Sequence, residues 1–278
     1  MVFPADFEAG LGMVADRAGF GGLGAHHPGD LFAPDLAARI KLTYAINPRI
    51  IGARKAGISM EVKDFFPNWG ELTPGQQEQL AGSARKQTVQ KDAVIHSGSL
   101  DCAGLLLIEH GQLRAYILSE EGREITLYRL LDRDICLFSA SCMMRSIQFE
   151  VMIKAERETT LWVIPPEVYK GILEQSAPLA NFTNEVMADR FSEVMWLLEQ
   201  ILWKRFDQRL AGFLLEERAL EGSDVLKMTH EVIGSHLGNP REVVTRMLRY
   251  FQSEGLVKLS RGTVEILDAA ALEEFANG

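Results

Sequence analysis

The chain has 278 residues, 47% of them hydrophobic, and a formal net charge of −9, which is enough apolar material for more than one packed domain. An acidic balance excludes a protein that holds nucleic acid through a general basic field, so any such binding has to come from a local patch. Three cysteines and no long apolar run point away from a disulfide-built secreted domain, a signal peptide or a membrane protein and towards the cytoplasm.

Residues 1–59 hold nine of the 24 glycines, with Pro4, Pro28, Pro34 and Pro48, and only Leu36 to Ala45 has helical spacing. The expectation is a poorly ordered leader or an over-extended reading frame with Met60 as the true start; the rival is a functional N-terminal arm. Intact mass of protein made from its native promoter separates them, because a mass matching the whole chain would retain the leader.

Residues 60–178 read as an all-β domain. A short helix, Pro74 to Ala84, precedes short strands divided by turn signals: Thr88–Val89, Ala93–His96, Leu105–His110, Leu113–Leu118, Ile125–Leu130, Val151–Ala155 and Leu161–Ile164. Turns every 8 to 12 residues or so suit a β-roll or jelly-roll. Pro165 and Pro166 end it, and Pro166 opens a short helix over Glu167 to Glu174.

Residues 179–206 form the linking helix. From Ala180 to Phe206 there is no glycine or proline, and Met187, Phe191, Val194, Leu198 and Ile201 recur at spacings of 4, 3, 4 and 3, a heptad seam suited to a dimer. Met195, Trp196, Leu202 and Trp203 supply a second apolar face for packing on the β-domain. A helix packed only on its own domain gives a similar stripe.

Residues 207–278 read as a winged helix-turn-helix. Asp207 to Leu220 is a supporting helix with Leu210, Phe213 and Leu214 inward, and Gly222, Ser223 and Asp224 form a loop. Thr229 is an N-cap; Val232, Ile233 and Leu237 form a stripe; Gly238 supplies a left-handed end. Asn239 caps a second helix with Pro240 at its first position. Val243, Val244, Met247, Leu248 and Phe251 face inward, leaving Arg241, Glu242, Thr245, Arg246 and Arg249 outward. Gly255 ends this helix, and Leu256–Leu259, Ser260–Gly262 and Thr263–Leu267 read as a hairpin wing. Arg241, Glu242 and Arg246 are placed to read base edges, since arginine donates twice to guanine and glutamate accepts from cytosine. Arg249, Lys258 and Arg261 suit phosphates. Between 239 and 261 five basic residues stand against two acidic ones, which is the local patch the net charge demands.

The segment Gly238 to Leu248, GNPREVVTRML, with Arg241, Glu242, Thr245 and Arg246, resembles the recognition helix of the Crp/Fnr superfamily of bacterial transcription regulators. The resemblance runs from about Phe65 to Phe275. It implies an α+β chain with an N-terminal β-roll sensor, a long dimerisation helix and a C-terminal winged helix-turn-helix. It also implies a homodimer reading a two-fold symmetric operator of the TGTGA or TTGAT type. Expected partners are double-stranded DNA and a second copy of the chain, with RNA polymerase open and no membrane.

For the signal, the resemblance argues first by omission. The cyclic-nucleotide branch places a Gly-Glu pair and a later Arg-Ser pair around the phosphate. Here Asp134 to Met144 has no glycine, and the Arg-Ser position becomes Phe149-Glu150, a carboxylate that repels phosphate; Arg145-Ser146 lies four residues early. Cyclic AMP and cyclic GMP are therefore not expected. An iron–sulfur cluster of the Fnr kind needs four cysteines mostly near the N-terminus, and none precedes Cys102. Cys136 and Cys142, with Cys102 in the same domain, are the candidate effector site, a thiol switch with Arg133 and Arg145 as candidate stabilisers of a thiolate. Small buried apolar cysteines are the alternative. Haem on His96 or His110, a soft metal, or a small apolar ligand stay open, so no cofactor is assigned. His230 and His236 are expected to be structural or near phosphate. The chain carries no P-loop, dinucleotide fingerprint or nucleophile elbow, so an enzyme is not expected; a ligand-binding module that no longer reads DNA is the second alternative.

Overall fold

The computed structural model describes residues 59–98, 102–139 and 150–278. Residues 1–58 of the leader, Cys142, Arg145, Ser146 and Phe149 lie outside the described residues.

The β-domain is built from two four-stranded antiparallel sheets, with the central strands β3 and β4 buried along most of their length. One has the order β1 (Arg85–Val89), β8 (Thr159–Ile164), β3 (Leu105–His110), β6 (Ile135–Cys136); the other β2 (Val94–Ser97), β7 (Met152–Ala155), β4 (Leu113–Leu118), β5 (Glu124–Leu130). The expected strands are present, several with longer bounds. β6 is additional: two residues held only by pairing with Leu106 and Leu107, too short for any periodic signal. Leu106, Ile108, Leu113, Ala115, Leu130, Ile153 and Leu161 close the space between the sheets.

Two flanking helices, α1 (Pro74–Ser83) and α2 (Pro166–Leu173), pack with two 3-10 turns, Val62–Phe65 and Trp69–Glu71, over the outer side of the first sheet. Thr73 and Gln76 cap α1 reciprocally.

The long helix α3 runs Ala177–Trp203, three residues earlier than expected, because Ser176 accepts from Leu179 N and Pro178 sits in the first turn, where it costs nothing. It stops at Trp203. Lys204 and Arg205 are extended, at φ −97°, ψ 138° and φ −67°, ψ 160°, so the linker and the supporting helix are separate rods joined by a two-residue hinge.

The C-terminal domain comprises α4 (Phe206–Glu221), β9 (Val225–Leu226), α5 (His230–Leu237), α6 (Arg241–Ser253), β10 (Val257–Ser260), β11 (Thr263–Ile266) and α7 (Ala269–Asn277). The wing is a three-stranded sheet, β10-β11-β9, not a lone hairpin. α7, absent from the sequence reading, packs Leu272 and Ala276 into the same core as Leu210, Leu214, Ile233, Val244, Leu248 and Phe251.

Candidate DNA-reading site and sensor

The turn between α5 and α6 is built as the sequence anticipates at two points. Thr229 Oγ1 accepts from Val232 N at 3.2 Å, and Gly238 ends α5 at φ +71°. Asn239 does not cap α6. Its Oδ1 accepts instead from Arg209 Nη2 at 3.1 Å, while Arg209 Nη1 donates to Leu237 O at 3.4 Å, and Pro240 occupies the cap position. A residue of α4 thus pins the turn. Sequence reading also passed over Gly234, where a Cβ would lie 2.5 Å from the Asn239 carbonyl oxygen; α5 can approach the turn this closely only without a side chain.

On α6 the burial of Val244, Leu248 and Phe251 fixes which face is free. Arg241, Glu242, Arg246 and Arg249 are all exposed, with the first two at the N-terminal end. Thr245 has another task in the free protein: its hydroxyl donates to Arg241 O at 2.8 Å, so it accepts from His230 Nδ1 at 2.9 Å. It braces α5 against α6. Burial, then Arg241 and Arg249, push His230 below its ordinary value, so the ring is neutral beside the arginines. On the wing, Lys258 pairs with Glu265 at 3.2 Å, and Arg261 stands exposed at the β10–β11 turn, where Gly262 takes φ +69°. The arrangement presents arginine forks from one helix end and lysine and arginine from the wing, the geometry for bases and flanking phosphates.

Residues 208–275 match the family model of the Crp-like helix-turn-helix domain. A solved structure of a putative transcriptional regulator of the Crp/Fnr family from Eubacterium rectale is 60% identical, with a TM-score of 0.76, over 77% of this chain and 100% of that one. The chain belongs to the Crp/Fnr family. The cyclic AMP receptor protein of Thermus thermophilus is 27% identical over 194 residues, 70% of this chain and 88% of that protein. The fumarate and nitrate reduction regulatory protein of Vibrio cholerae is 26% identical over 205 residues, 69% of this chain and 78% of that protein. The protein is thus a Crp/Fnr transcription regulator with a helix-turn-helix DNA-binding domain, and regulators of this kind bind DNA and typically dimerise. Among the described residues no helix is long and apolar enough to cross a membrane.

In this Crp/Fnr chain the two described cysteines part company. Cys136 is a free thiol buried in β6. Burial pushes its pKa up, against weaker opposing hydrogen bonds from Ser139 and the charge of Arg190. The expected stabiliser Arg133 is not among these causes; it occupies a left-handed turn at φ +75°. A thiolate is disfavoured at Cys136, so its place is that of a small apolar core residue. Cys102 is exposed and disulfide-bonded. His96 is buried in β2, and His110 is exposed with Nδ1 3.0 Å from Asp132 Oδ2. Among the described residues no three His, Cys, Asp or Glu converge as a metal site.

The heptad residues of α3 also divide. Met187 and Val194 pack on the chain's own barrel. Phe191, Leu198 and Ile201 are exposed, and so are Met195, Leu202 and Trp203, which were expected to pack on the β-domain and do not. Phe191, Met195, Leu198 and Leu202 keep the spacings 4, 3 and 4, an uncovered seam that retains Phe191 and Leu198 of the expected one and adds Met195 and Leu202.

Proposed function

We propose that this chain is a homodimeric, sequence-specific DNA-binding regulator that reads a palindromic operator and is switched at the β-roll by thiol–disulfide chemistry, not by cyclic AMP. The observation that carries the reading is the exposed Arg241, Glu242 and Arg246 set on a helix whose opposite face is buried. Solvent exposure alone would not require a cap, a glycine approach and an arginine pin behind it. The uncovered seam on α3 supports the dimer: four large apolar side chains on one exposed face are what a second copy would cover. Two reading helices then sit about 34 Å apart, one turn of DNA.

The signal is assigned to Cys102 because it is the exposed, disulfide-bonded cysteine, whereas Cys136 is buried with its thiol disfavoured for ionisation. The action is in the cytoplasm, where DNA and cellular reductants meet, and no catalysis is involved. The test is affinity for a TGTGA/TTGAT-type palindrome, reduced and then mildly oxidised, at two salt concentrations. Redox-dependent binding lost in Cys102→Ser and Cys142→Ser is the expected result. Strong binding indifferent to redox would move the signal to a small molecule, haem or metal in the barrel, and absence of salt-dependent DNA binding would overturn the reading.

A further inference from the structure

The barrel and the reader have separate apolar cores. The clusters around Leu105 and Leu106 contain no residue beyond Val194, and the cluster around Leu210 begins at Phe206. What joins them is polar. Arg129 on β5 reaches Glu156, at the end of β7, at 2.9 Å and Glu217, on α4, at 2.5 Å. Arg129 Nη2, at 3.3 Å, and the Thr126 hydroxyl, at 2.8 Å, meet Nδ1 of His236. An arginine can only donate, so the ring proton sits on Nε2, 3.2 Å from Glu156 Oε1. Arg114 on β4 donates to Thr126 Oγ1 at 2.7 Å, to Glu124 at 2.5 Å and to the Ser235 carbonyl at 2.7 Å. At the rim Arg157 pairs with Glu221. The apolar part is small: Ile125 forms a β-bridge with Leu237 and lies against Gly238, and the Arg129 guanidinium sits 5.8 Å from the centre of the Phe213 ring.

We propose that Arg114, Thr126, Arg129, Glu156, Glu217 and His236 form a latch that clamps the reader onto its own barrel, and that the clamped arrangement is the resting, DNA-incompetent state. The inference rests on the DNA-reading function proposed above. Its first support is energetic. Buried ion pairs gain little net free energy over their solvated parts, because desolvation offsets attraction. A contact of this composition can therefore separate without exposing either core, unlike an apolar interface. Its second support is position. The barrel grips Ser235, Leu237 and Gly238, within a few residues of Arg241. That is the end of α6 that has to enter the major groove. Its third is the hinge: with the latch open, the reader is held to α3 only through extended Lys204 and Arg205, about which it can turn.

The test uses the full chain and two readouts. Arg129→Gln leaves the buried Glu217 without its cation only while docked, so it opens the latch without unfolding either domain. Amide exchange in 124–130 and 230–237 should accelerate at least about tenfold, with the Leu248–Phe251 core of α6 unchanged; unchanged exchange at the interface overturns the latch whether or not the protein binds DNA. For the second readout, bridged residues in antiparallel pairs lie within disulfide reach, so Ile125→Cys/Leu237→Cys can be locked by oxidation. Locked protein should bind operator at least about tenfold more weakly than the same protein reduced, beyond any change of wild type under the same oxidant and reductant. Equal affinity, locked and reduced, would show the clamped arrangement to be DNA-competent and overturn the resting state. If no form bound DNA, the DNA-reading function would fall, and the exchange readout would still decide the latch.

Discussion

Arg246 and Lys258 are both exposed cations of the reader, yet they should fail differently. Arg246→Ala is expected to cost on the order of 1–3 kcal/mol and relax preference at one base. Lys258→Ala should weaken all sequences alike and lower the salt slope by about one; its exposed pair with Glu265 is too weak to withhold it from DNA. Competition binding against single-base operator variants at several salt concentrations separates the two, and identical behaviour would erase the division into base and phosphate contacts. At His236, burial first, then Arg129, Arg114 and Lys154, hold the imidazole well below its ordinary value, with Glu156 the carboxylate against it and Glu124 and Glu217 committed to the two arginines. Once undocked, the ring returns towards about 6.5, so the open state binds the proton first. Docking is then complete above that pH and weakens as pH falls below it, by up to about 1.4 kcal/mol per unit. Interface amide exchange, corrected for intrinsic rates, should rise between pH 7.5 and 5.5, and His236→Gln should flatten that dependence.

At the scale of single elements, the turn and the long helix depend on different things. Gly234→Ala places a methyl against the Asn239 carbonyl, and the backbone has to yield; a loss of about 1–3 kcal/mol in urea unfolding of the reader is expected. A cost near zero would mean the turn relaxes freely. On α3, Phe191→Asp with Leu198→Asp should convert dimer to monomer in sedimentation without loss of helix, because neither side chain packs on its own barrel. The strands, the cap at Thr229 and the left-handed Gly238 were legible because period, cap and turn chemistry act within a few residues. β6, β9 and α7 were not: the first two exist only as partners of longer strands, and α7 owes its place to α4.

For the whole molecule, the exposed and buried cysteines predict a specific pattern. Cys136→Ser should leave the redox response of operator binding intact, and Cys102→Ser should abolish it; the reverse result in anisotropy titrations would return the signal to β6. The amino-acid sequence by itself determined the order of sensor, linker and reader, the position of the recognition helix and the identity of its outward cations, since these follow from local periodicity and capping. Only the tertiary structure decided which stripe of α3 stays uncovered, which cysteine is shielded, and how reader meets barrel. Arg114 and Ser235 are 121 positions apart, and Thr126 and His236 are 110 apart. No local pattern encodes such pairings, because their free energy depends on desolvation that exists only once both domains are folded and in contact.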